Sequence, residues 1–228
     1  MFGSKLRPGD RVRVKICGIT NEPDALAAIE AGADALGFNL VLKSKRYIDI
    51  ETAAPWIDKL PRKICRVAVM VNPNLEDALR IGRLPFIDAL QLHGNESPEF
   101  CGRLAEAAIR FAKALPVSDS KSLTGVSDFF TDTVILDSAS GDEFGGTGKS
   151  FPWKFAGEFV RAHRDLNVIL AGGLSAENVA DAINQVHPGG VDVTTGVEIS
   201  PGRKDHRKLE AFIQSAGLAE GVNGVRRR

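Results

Sequence analysis

Cysteine is scarce in this chain, and what little there is cannot build a scaffold. Three cysteines in 228 residues are an odd number without framework spacing, so no disulfide network is expected and a reducing compartment is. No apolar run approaches the roughly 20 residues of a membrane-crossing helix. The stretch from Met1 to Arg11 is polar and charged and lacks the apolar segment of a secretory signal, which makes the cytoplasm the expected location. Neither sign of charge is in excess, with Lys plus Arg and Asp plus Glu both at 29. That balance argues against nucleic acid or an anionic membrane as partner, so any anionic ligand must be held locally. The four histidines show no metal-ligand spacing, and no metal is expected.

Nucleotide-binding loops are missing as well. Gly148-Lys149-Ser150 resembles the end of a phosphate-binding loop, but the first glycine of that motif would fall on Glu143, where a carboxylate would face phosphates. No G-x-G-x-x-G follows a strand.

What the chain does have is alternation. Short β-branched runs are separated by stretches of helical period, the pattern of βα units that build a parallel sheet. The strand candidates are Val12–Ile16, Ala35–Leu40, Ile64–Val71, Ala89–Leu92, Arg110–Ala114, Thr133–Leu136, Asn167–Ala171 and Val191–Thr194. A helix from Ser175, as N-cap, to Val186 carries Val179, Ala182, Ile183 and Val186 on one face, and Pro188-Gly189-Gly190 stops it. The first helix runs from Asn21-Glu22-Pro23 to Gly32, and Ser122–Phe130 is the weakest helix. Eight such units close naturally into a (β/α)8 barrel, with a doubly wound open sheet as the alternative. The expectation is a single barrel domain over 1–228, with its core at about 12–216 and peripheral extensions at 1–11 and 218–228.

In a barrel, chemistry collects where strands end and βα loops begin. The first strand delivers Cys17 to that rim, as a thiolate base or nucleophile, or as a small packing residue. Cys65 and Cys101 have no such position and read as packing. The sixth strand delivers Asp137, a reactive carboxylate or a turn former. The loop after it, Ser138–Ser150, is long and glycine-rich around Gly145, as functional loops often are. Gly172-Gly173 and Thr194-Thr195-Gly196 follow the seventh and eighth strands. Bare backbone N–H groups there suit a phosphate, though both stretches are also ordinary tight turns. Arg46, in the basic cluster Lys43–Tyr47, suits a carboxylate, and His93 ends the fourth strand. Strand parity puts Lys15 and Asp192 on inward faces of neighbouring strands, where a buried ammonium needs such a counter-charge.

In order along residues 12–216, the sequence closely resembles the phosphoribosylanthranilate isomerase family of tryptophan biosynthesis. The resemblance rests on Lys15-Ile16-Cys17-Gly18-Ile19-Thr20, Ser44-Lys45-Arg46-Tyr47, Gln91-Leu92-His93-Gly94, Leu136-Asp137-Ser138, Gly145-Gly146-Thr147-Gly148-Lys149, Gly172-Gly173-Leu174, and Gly196-Val197-Glu198 with Pro201-Gly202. It implies a (β/α)8 barrel that performs an Amadori rearrangement without metal or organic cofactor. The substrate would be N-(5-phosphoribosyl)anthranilate and the product 1-(2-carboxyphenylamino)-1-deoxyribulose 5-phosphate. By the same resemblance Cys17 is the general base and Asp137 the general acid. Arg46 holds the anthranilate carboxylate, and the loops carrying Gly172, Gly173, Thr195 and Gly196 cradle the phosphate, with His93 and Gly145 also lining the site. Two departures stand out: Asn39 sits in a run that is more often apolar or aromatic in the family, and Thr194-Thr195 replaces a common Ser-Ser. The barrel isomerase of histidine biosynthesis is the nearest rival, but it has an aspartate where this chain has Cys17. A phosphate-binding barrel without catalysis would lack Cys17 or Asp137. The sequence leaves monomer and homodimer equally open.

Overall fold

The computed structural model describes residues 10–117, 125–138 and 153–219. Eight parallel strands close into a barrel in chain order. They are β1 (Arg13–Cys17), β2 (Ala35–Asn39), β3 (Cys65–Met70), β4 (Ala89–Leu92), β5 (Phe111–Val117), β6 (Thr133–Ser138), β7 (Asn167–Leu170) and β8 (Gly190–Val193). Closure is direct, because β1 pairs with both β2 and β8, with Lys15 opposite Asp192 across the second seam. Helices α1 (Glu22–Ala31), α2 (Ile50–Ile57), α3 (Leu75–Gly82), α4 (Pro98–Glu106), α5 (Trp153–Ala162), α6 (Val179–Val186) and α7 (His206–Leu218) belong to the outer layer.

The eight expected strands all form, β4 with both ends as expected and the others with ends shifted by at most three residues. These shifts matter at two places, since Cys17 and Asp137 fall inside β1 and β6, not just beyond them. Their side-chain directions are therefore set by the pleat. Asn21 caps α1 as expected, its Oδ1 accepting from the Asp24 N–H at 2.9 Å, and Gly32 ends the helix at φ +105°. Ser175 does not cap α6. The chain makes one tight turn first, with the Ser175 N–H donating to Asn178 Oδ1 at 2.9 Å, and the helix begins at Val179. Of the weak helix Ser122–Phe130, only a 3₁₀ turn at Val126–Phe129 exists among the described residues. A short antiparallel hairpin of β9 (Glu198–Ser200) and β10 (Arg203–Lys204), which the alternation does not signal, follows β8.

Two cores result. A large one of aliphatic and aromatic side chains lies between strands and helices. A smaller one, mostly Ala35, Ala89, Ala112, Ala114 and Ala171 with Val67, Ile135 and Ile169, belongs to the alternate, inward strand positions. Small side chains there leave space for long polar ones, and Lys15 and Gln91 fill it at 0% and 1% exposure. Phe38 of β2 meets Trp56 of α2 edge-on at 5.8 Å between centroids. That contact, an arrangement worth about 0.5–1.5 kcal/mol, docks α2 on β2, the two elements that flank the loop carrying Arg46.

Candidate active site

Cys17 lies at the end of β1, and its neighbour across the seam is Gly37 of β2. A Cβ at Gly37 would come within 2.7 Å of Cys17 Sγ and 3.1 Å of Lys15 Nζ, so only glycine leaves the thiol its space. One layer beneath, the Lys15 ammonium donates to Asp192 Oδ2 at 2.8 Å with none of its side chain exposed. Burial by itself would lower the pKa of Lys15, but Asp192 and then Cys17 outweigh it and hold the ammonium above its ordinary value. The expected pairing of Lys15 with Asp192 is thus present. Its second neighbour, the Cys17 side chain, is what parity alone did not disclose.

Asp137, at the end of β6, is 6% exposed. Its Oδ1 accepts the Ser138 N–H at 2.7 Å, and its Oδ2 lies 3.2 Å from His93 Nε2. His93 Nδ1 in turn lies 3.0 Å from Gln91 Nε2. Both ring nitrogens of His93 therefore face protein partners, which suits it to orienting Asp137. Gly172, at φ +85°, packs directly on this carboxylate. A Cβ there would stand 2.8 Å from Asp137 Oδ1 and 2.6 Å from the Ser138 nitrogen.

Arg46 reaches the same mouth from the β2–α2 loop. Its Nε and Nη2 donate to Glu198 Oε1 and Oε2 at 2.9 and 2.8 Å in a two-pronged fork. This hydrogen bonding raises the Arg46 pKa further. Burial pushes Glu198 up, but the bond from Arg46 and the charge of Lys204 leave its carboxyl below the ordinary range. Lys204, on β10, is a buried ammonium that donates to Glu198 Oε1 at 3.2 Å and to the Cys17 carbonyl at 2.5 Å. Burial lowers its pKa, and Glu198 offsets that only in part. Glu198 appears in the sequence only as part of a motif, and Lys204 carries no signal there, because the hairpin that places both is not periodic. Asn39 turns its side chain onto the loop itself, its Oδ1 accepting the Val41 N–H at 2.9 Å.

The cleft joining these groups has a volume of about 1010 Å³ and is lined by Cys17, Asn39, Arg46, His93, Asp137 and the turns after β7 and β8. Gly172 and Gly173 both take positive φ, at +85° and +64°, and a Cβ on Gly196 would overlap the Leu174 carbonyl. Thr195 borders the cleft beside it. Gly145 lies outside the described residues. No helix among the described residues is long and apolar enough to cross a membrane.

The family model for N-(5'-phosphoribosyl)anthranilate (PRA) isomerase matches residues 14–215. The N-(5'-phosphoribosyl)anthranilate isomerase of Trichlorobacter lovleyi is 44% identical over 206 residues, covering 90% of this chain and 98% of that protein. The crystal structure of phosphoribosyl anthranilate isomerase from Thermotoga maritima superposes with a TM-score of 0.82 at 40% identity, covering 90% of this chain and 98% of the other. A further isomerase structure, at TM-score 0.78, 39% identity and the same 90% and 98% coverage, is a complex with reduced 1-(o-carboxyphenylamino)-1-deoxyribulose 5-phosphate.

Proposed function

Because the chain belongs to the N-(5'-phosphoribosyl)anthranilate isomerase family, we propose that its barrel mouth carries out the Amadori rearrangement with Cys17 as general base and Asp137 as general acid. The observation that carries this reading is convergence: a thiol, a carboxylic acid and an arginine fork line one cleft beside two glycine-bearing turns.

Asp137 gives a proton to the ribose ring oxygen while the amine lone pair forms a C1=N bond and the C1–O bond breaks. Cys17, as thiolate, takes the proton from C2, and the electron pair moves to the nitrogen to give an enolamine. Ketonisation completes the isomerisation as the C2 hydroxyl loses its proton and C1 gains one. C2 is oxidised and C1 reduced by the same electron pair, so the rearrangement needs no external oxidant or reductant. Lys15, beside Cys17, stabilises the thiolate with a fixed positive charge that needs no reorganisation during the reaction. His93, backed by Gln91, holds Asp137 in line. Arg46 presents the guanidinium edge left over by Glu198 to the anthranilate carboxylate. Gly172, Gly173, Thr195 and Gly196 receive the phosphate through backbone N–H groups. A free thiol as base also suits the reducing cytoplasm.

The test is direct. Purified protein mixed with freshly made phosphoribosylanthranilate should consume its fluorescence, and inorganic phosphate should inhibit competitively. Fluorescence that decays no faster than without protein would overturn the reading, and non-competitive inhibition by phosphate would remove the proposed cradle.

A further inference from the structure

The Arg46 fork points to a second layer of the site. A guanidinium has five N–H donors, and Glu198 engages only the edge formed by Nε and Nη2. Nη1 has no partner among the described residues, and Arg46 lines the cleft, so the outer edge remains for another planar anion. A long loop side chain would otherwise sample many rotamers, and holding one geometry costs conformational entropy. Glu198 removes that freedom before any ligand arrives.

Glu198 is itself held. The Lys204 Nζ and the Gly202 N–H both donate to its Oε1, each at 3.2 Å. The other two donors of Lys204 go to the backbone carbonyls of Cys17, at 2.5 Å, and Thr194, at 3.3 Å. One ammonium, with no exposed side-chain surface, thus anchors the residue carrying the thiol, the end of β8 and the carboxylate that aims Arg46. A buried ammonium with all three donors used is rigid, since any shift leaves a donor unpaired.

We infer that Glu198, braced by Lys204, is the positioning residue that presents Arg46 to the substrate carboxylate. The inference rests on the reading of Arg46 as the carboxylate fork. Because such a contact is made equally in ground and transition states, losing its alignment weakens capture more than turnover. Replacing Glu198 by Gln should therefore raise KM by about tenfold or more while kcat falls by less than about threefold.

The deciding measurement is a double-mutant cycle in KM with phosphoribosylanthranilate, using Arg46→Ala, Glu198→Gln and their combination, alongside inhibition by inorganic phosphate in each. If Glu198 acts through Arg46, the combination is no worse than Arg46→Ala alone, and Glu198→Gln leaves the phosphate inhibition constant unchanged. Additive losses, or phosphate binding weakened as much as substrate binding, would mean that Glu198 merely supports the mouth and would overturn the inference. An unchanged KM in Arg46→Ala sinks the fork reading itself, whereas a raised KM with additive losses sinks only the role of Glu198. Should Glu198→Gln not fold, Glu198→Asp keeps the charge but withdraws it by one methylene. It should reproduce the KM effect, and a wild-type KM in that variant counts against the proposal.

Discussion

Replacing Lys15 by Met removes a charge from beneath the thiol while nearly keeping its volume. The partner left behind is Asp192, whose carboxylate is 6% exposed and whose Oδ1 already has no hydrogen-bond partner among the described residues. With Lys15 gone its Oδ2 is orphaned as well. Breaking a buried pair in this way costs about 3–5 kcal/mol, and because Asp192 borders the cleft the lower end applies. For a domain of this size each kcal/mol corresponds to about 2–4 °C, so Tm should fall by roughly 6–12 °C. The further change Asp192→Leu removes the stranded charge, and replacing such a pair with hydrocarbon is about neutral, so the double variant should recover most of the stability. It should not recover turnover, because Cys17, the proposed base, has still lost the neighbouring ammonium. The pH dependence has a definite sign. Lys15 has a folded-state pKa raised above 10.5, so its stabilisation is fully present below about pH 10 and is lost only as pH rises through the folded value. Urea unfolding of wild type and both variants, repeated between neutral and strongly alkaline pH, reads all of this. A loss under about 1 kcal/mol in Lys15→Met, or a double variant no more stable than the single, would refute the reasoning.

Three further perturbations address the site and its surroundings. Cys17→Ala and Asp137→Asn should each lower kcat by at least about 100-fold with KM much less affected, and Cys17→Asp should retain more activity than Cys17→Ala; near-wild-type kcat in Asp137→Asn would remove Asp137 as the acid. Gly172→Ala forces a Cβ to 2.8 Å from Asp137 Oδ1 at a φ of +85°, so kcat should drop by about tenfold or more through misplacement of the acid, and full activity would show that Asp137 tolerates the shift. Burial pushes the Cys101 thiol up to about 11, so iodoacetamide on the folded protein should spare it. Peptide mass spectrometry showing Cys101 modified as fast as in urea would contradict that protection.

The barrel was legible in the sequence because its signals are local. Each strand is a short apolar run, each helix a 3.6-residue period, and Asn21 and Gly32 punctuate α1 where a cap and a left-handed residue are needed. The rim positions of Cys17 and Asp137 followed from those strand ends. What remained hidden is of two kinds, one local and one dependent on distant residues. Ser175 looks like a cap, but its amide donates to Asn178 three residues on, and that tight turn delays the helix. His93 is placed correctly at the mouth, yet only the fold reveals that Gln91 and Asp137 occupy both its nitrogens. Glu198 and Lys204 lie on a hairpin too short to show any period, and their importance comes entirely from Arg46 and the Cys17 carbonyl, far away along the chain.

These distances have a consequence for the order in which the site can come into being. The contacts that set the charge of Lys15 and the position of Cys17 join residues 177 and 187 apart in the chain. During synthesis the thiol emerges with the first strand of the barrel and then waits for the other seven, since both Asp192 and Lys204 lie in the barrel's last βα unit. Contacts of such high sequence separation form slowly and late in folding. A nascent chain stalled before β8 therefore has the Cys17 thiol and its strand-one ammonium but neither counter-charge nor anchor. Partial chains should be inert, and this barrel should gain its activity in a single step as its final seam closes.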